Sequence, residues 1–259
     1  MGHVRIGFLP HTRQWNAIIA KLSSFDNERN TIAEIADSTL NAIQKDYDGL
    51  QYDESVISAI KCLANIIVSS RQKNQVVFLQ QNGFQVDDSI SLFSLTASIQ
   101  HLIQTSNGSL ETNKLARDAA IQAIMLFCEQ HIEQQLNLFH TNNNPFIKKN
   151  SGKEFCELAR YFFASFTEKK IRYYIDREAS NQIDDYGKYI SFSDNLSKYS
   201  LDISEHAFEI SKIMQSFAAG WFNNHALDIV PTNDSVTQFL KTAFGKVREE
   251  LRLEVMKNE

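Results

Sequence analysis

Apolar residues recur at helical spacing along almost the whole chain, three and four positions apart. Trp15, Ile18, Ile19 and Leu22 predict a helix from Thr12 to Ser24. Ile32, Ile35, Ala36, Leu40 and Ile43 predict a second, opened by a Thr31/Glu34 capping box and ended by Asp48-Gly49. A third, capped by Asp53, carries Val56, Ile57, Ile60, Leu63, Ala64 and Ile67. Gln75 to Leu79 fits a short helix or a strand. Asp87 or Asp88 opens a helix through Phe93, Leu95, Ile99 and Leu102. A long helix follows Asn107-Gly108, from Ser109 toward Phe139, with Leu115, Ala119, Ala123, Leu126, Ile132 and Leu136 as its stripe.

His140 to Asn150 breaks the pattern with three consecutive asparagines and Pro145. Asparagine competes with helix through its own backbone contacts, so residues 141–150 read as a linker. Ser151 and Glu154 form a second capping box, opening a helix to Ala179. Asp184 to Ser200 is polar and reads as a short helix within a loop. Asp202 and Glu205 then cap a helix through Ala207, Ile210, Met214 and Phe217, which Pro231 stops. Asp234 caps the last, with Val236, Leu240, Ala243, Val247 and Leu251 on its face. The expected fold is all-α, an irregular bundle of about eight to ten helices. A short extended arm, with Val4, Ile6 and Phe8 alternating against Arg5 and Gly7, precedes it. The expected organisation is an N-terminal helical subdomain over 1–140 and a C-terminal one over 151–259.

Composition supports this. Nine glycines and three prolines in 259 residues are too few for an all-β fold rich in turns. A net charge of −5 gives no global pull toward a polyanion. Cys62, Cys128 and Cys156 are an odd, scattered set, which points to a reducing cytoplasm rather than a disulfide framework. The N-terminus carries no secretory pattern. No apolar run reaches the roughly 18 residues that a membrane helix needs. The richness in Asn, Ile, Lys and Ser suits an AT-rich bacterial genome.

Most catalytic signatures are missing from the sequence. The Gly-Lys pairs at 152–153, 187–188 and 245–246 are followed by Glu154, Tyr189 and Val247, so none forms a phosphate-cradling loop. No Gly-x-Gly fingerprint and no Gly-x-Ser-x-Gly elbow occurs. No two histidines stand at the helical spacing of a metal pair. Cys128 and His131 make one isolated Cys-x-x-His, read as core packing. Arg5 and His11 have the spacing seen in helical ribonucleases of the HEPN class, but they precede the first helix with Pro10 between them. Asp202, Glu205, His206 and Glu209 share a helix side, and are read as dipole-complementing charge more than as a metal or acid–base site. Asp46 and Asp48 before Gly49 read as a turn, since the other calcium ligands are absent. No cofactor or metal is expected.

Two segments stand out. The helix after Ser151 carries Phe155, Tyr161, Phe162, Phe163, Phe166, Tyr173 and Tyr174, more apolar circumference than one buried stripe uses. It is therefore central to the fold or meets a partner. Interleaved cations, Lys169, Lys170 and Arg172, with Lys148 and Lys149 just before, are the residues a single-stranded nucleic acid would use. The segment Gly2 to Trp15 can add a strand to a partner or pack on its own helices. The expected function is a non-catalytic scaffold, adaptor or regulatory subunit of a bacterial complex, in a setting such as antiviral defence or DNA processing. Its partners are other protein subunits or further copies of itself, meeting Val4, Ile6, Phe8, Trp15, Phe163 and Tyr174. The alternatives are a nuclease or metal-dependent hydrolase with a dispersed site, and a nucleic-acid-binding module.

Overall fold

The chain is described from a computed structural model over residues 12–26, 29–87, 90–132, 146, 151–205, 212–227 and 230–257. Helix starts follow local chemistry. The Thr12 side chain accepts the Trp15 N–H and opens α1 (Arg13–Ser23). α2 (Arg29–Ala42) begins two residues before Thr31, whose hydroxyl instead donates to Asp26 at 2.8 Å. The chain breaks at the buried Ile43 and restarts as α3 (Gln44–Gly49), followed by a 3₁₀ turn over Leu50–Tyr52. Asp53 accepts the Ser55 N–H at 2.9 Å and caps α4 (Glu54–Ser69). α5 (Gln75–Gln81) is a helix, capped by Asn74.

Ser91 and Ser94, not Asp87 or Asp88, form the capping box of α6 (Leu92–Gln104). α7 (Leu110–Ile132) is followed, after the proposed linker, by α8 (Gly152–Gln182) with the Ser151/Glu154 capping box in place. α9 (Tyr186–Glu205) takes up the whole stretch that reads as a short helix within a loop, and runs beyond it. Its polar exterior hides Phe192, Leu196, Tyr199 and Ile203, buried at steps of three and four. Asp202 and Glu205 consequently end α9 rather than cap its successor. α10 (Lys212–His225) and α11 (Asn233–Lys257) complete the chain, and the Thr232 hydroxyl accepts the Ser235 N–H at the head of α11.

The fold is all-α, with twelve helices and no strand among the described residues. The break at Ile43 adds α3 and the 3₁₀ turn to the helices read from the sequence. The extended arm lies outside the described residues. So does the proposed linker apart from Phe146, which is buried and stacked on Phe127 with ring centroids 5.2 Å apart.

α8 is the axis. It packs against α7, α9 and α10, and also touches α1, α2, α4 and α11. Its rings enter a shared aromatic core, where Phe155, Phe163 and Phe166 meet Trp221, Phe222, Phe239 and Phe244. α7 approaches through Ala116, Ala119, Ala120 and Ala123, all fully buried. Gly152 lets α8 meet α10, since a Cβ there would lie 2.8 Å from the Ala219 backbone. α11 in turn packs on α2, so helices from before 140 and after 151 share one hydrophobic cluster. Among the described residues α8 contributes apolar surface to both parts of that cluster.

Candidate functional site

Three surface grooves run together around α3. One, about 570 Å³, lies between α1 and α3 and is lined by Trp15, Asn41, Gln44, Asp46, Asp48 and Tyr174. A second, about 330 Å³, lies between α3 and α11 against Tyr47, Asp48, Gln51, Lys241, Gly245 and Arg248. A third, about 690 Å³, continues along α11 past Arg252, Leu253 and Met256. Asp48 is common to the first two, and Gly245 and Arg248 to the last two.

Helical geometry sends the consecutive residues Asp46, Tyr47 and Asp48 in three directions, at about 100° steps. Tyr47 goes inward, fully buried, with its hydroxyl 3.3 Å from Thr167 on α8 and its ring edge-on to Phe244. Burial pushes its phenol pKa well above the ordinary value. Asp46 turns to α8, 2.7 Å from the Lys170 ammonium, and accepts the Tyr174 hydroxyl at 2.5 Å. Partial burial by itself would raise the Asp46 carboxyl. The hydrogen bonds from Lys170 and Tyr174, with the Lys170 charge, outweigh it and hold the carboxyl below its ordinary value. Tyr174 is pushed up, first by desolvation and then by the Asp46 carboxylate. Its ring stacks on Trp15 at 5.8 Å. Asp48 turns to α11 and accepts Arg248 Nη1 at 3.0 Å. Beside it Asp37 on α2 is raised by burial, against the opposing pull of Arg252, Lys21 and Arg248.

The residues expected at a partner interface separate. Val4, Ile6 and Phe8 lie outside the described residues. Phe163 is 0% exposed, packed on Phe239 and Phe244, so it belongs to the core and presents nothing to a partner. Trp15 is 3% exposed and also largely internal, but it and the half-buried Tyr174 meet as one wall of the first groove. α8 is aromatic all round because helices surround it.

The expected nucleic-acid residues are engaged within the chain. Lys148 and Lys149 lie outside the described residues. Lys169 donates to Gln122 at 2.6 Å. Lys170 is buried against Asp46. Arg172 donates to Glu168 at 2.7 Å and to the Ser193 carbonyl and Ser197 hydroxyl of α9. These cations join helices, and none offers a basic surface strip.

The remaining chemistry is structural too. His131 Nε2 stands 3.1 Å from Glu157, with its ring against Phe127. Burial pushes the Cys128 thiol up to about 12. Glu205 pairs with Arg160 at 3.4 Å, while Arg5, His11, His206 and Glu209 lie outside the described residues. Among the described residues no three His, Cys, Asp or Glu side chains converge as metal ligands, and no helix is long and apolar enough to cross a membrane.

In sequence Asp46-Tyr47-Asp48-Gly49 reads as a turn, whereas the chain forms α3 there. An acid–aromatic–acid run inside a short helix was the available signal. Its partners on α8 and α11 are invisible in local sequence. Compared with protein-family models, curated proteins and solved structures, the chain matches none.

Proposed function

We propose that this chain is a non-catalytic helical adaptor that seats a partner protein along the grooves around α3. One observation carries the reading: three grooves between α1, α3 and α11 adjoin one another, sharing Gln44, Asp48, Gly245 and Arg248 as lining residues. Their combined length suits a segment of another chain better than a single small substrate, and their ionisable groups pair with one another in ways that hold α3 to α8 and α11. The exposed Leu253 and Met256 add apolar surface along α11 at the third groove. Three buried thiols fit a reducing, cytoplasmic setting.

Site-specific photocrosslinking in the native cell tests it. A benzophenone side chain at Gln44 or Gln51 is expected to trap a discrete protein adduct, while one at Phe93, exposed on α6, does not. Equal adducts from all three positions, or substrate turnover by the purified chain alone, would overturn the reading.

A further inference from the structure

The α11 wall of the groove has a chemistry of its own. Lys241, Gly245, Arg248 and Arg252 recur at steps of four, seven and eleven, which places them within one narrow arc of the helix. Three are cations in a chain whose net charge is −5. The fourth is a glycine inside a 25-residue helix. Glycine there costs about 1 kcal/mol relative to alanine. The fold does not require it, because a Cβ on Gly245 would meet nothing within 4 Å. The missing side chain keeps the groove open between Lys241 and Arg248. Arg248 gives one nitrogen to Asp48. Its Nε is buried and without a partner, so it is the guanidinium tip that Arg248 offers to the groove it lines.

Resting on the adaptor reading, we infer that this groove recognises an acidic, extended peptide segment of the partner. The spacing sets the register. Lys241 to Arg248 spans about 10 Å of helix and Arg248 to Arg252 about 6 Å, at 1.5 Å per residue. An extended peptide rises about 3.3 Å per residue and alternates its faces, so carboxylates at its second, fourth and sixth positions share one face about 7 Å apart; the fourth and sixth match Arg248 and Arg252, and the long Lys241 stem reaches toward the second. An apolar residue two positions on reaches Leu253 and Met256 at the far end. Asp48 and Glu249 on the same walls repel the unbroken charge of a nucleic acid and leave room for spaced carboxylates.

The test uses the full chain and a fluorescent peptide of about eight residues with Asp at the second, fourth and sixth positions and Leu at the eighth, all on one face. Its twin carries Asn for Asp. The Asp peptide is expected to bind about tenfold more tightly, the effect of two or three exposed ion pairs. Lys241→Gln/Arg252→Gln removes that preference. Gly245→Leu abolishes binding with no loss of melting temperature, which separates a filled groove from a damaged fold. Equal binding of the twins, or tighter binding of short single-stranded oligothymidylate at the same groove, overturns the inference. A groove crosslink that survives Lys241→Gln/Arg252→Gln also overturns it while leaving the adaptor reading intact. Loss of every groove crosslink with the peptide preference retained removes the adaptor reading and supports the acidic specificity.

Discussion

Asp46 and Lys170 meet at 2.7 Å, joining the six-residue α3 to the 31-residue α8. Lys170 is 2% exposed, so its ammonium lies under the surface. Asp46 is its charged partner there and is half exposed. Removing the acid alone leaves a buried cation uncompensated. Asp46→Ala is expected to cost about 2 kcal/mol, less than the loss at a fully buried pair because solvent reaches Asp46. Lys170→Met placed in that background should recover most of it. Denaturant unfolding of the two single variants and the double variant measures the coupling; strictly additive losses would refute the pairing.

The same carboxylate sets an acid limit. Its folded-state pKa lies below the ordinary value of 3.8, so its stabilisation is complete above that value and disappears as pH falls through the lowered one. Asp37 works in the opposite sense. Burial raises its pKa, so the folded state favours the protonated acid, and stability declines as pH rises through the raised value. Asp46→Asn should flatten the acid side of the melting profile. Asp37→Asn, which keeps a side-chain oxygen and size, should remove a decline on its weakly acidic side. Melting temperatures across the acid range would show both signs or contradict them.

One substitution at two glycines should act in opposite directions. Gly152→Ala pushes a methyl to within 2.8 Å of the Ala219 backbone, so α8 and α10 must part. A loss of about 1–3 kcal/mol is expected, the usual cost of overpacking. Gly245→Ala enters open space within a helix and should gain up to about 1 kcal/mol. Paired thermal melts decide this, and a stabilised Gly152→Ala would contradict the packing of α10 on α8.

Phe163 checks the reassignment from partner surface to core. Phe163→Ala should cost about 3–5 kcal/mol, because it leaves a cavity among Phe162, Phe239 and Phe244. Tyr174→Phe, at the groove edge, should cost about 1 kcal/mol, the hydroxyl bond to Asp46. Similar small losses for both would return Phe163 to the surface.

Periodic apolar spacing and helix-start chemistry act over a few residues. They made the helical class, the Asp53 and Ser151 caps and the apolar breadth of the aromatic helix readable from the chain alone. α9 shows the limit, because its polar exterior masked a valid stripe of Phe192, Leu196, Tyr199 and Ile203. Tertiary packing decided the rest. It turned Lys169, Lys170 and Arg172 inward, set α11 against α2, and gave Asp46 and Asp48 partners on two distant helices. Those outcomes depend on which faces meet in space, and contacts between residues more than a hundred positions apart leave no mark on local spacing.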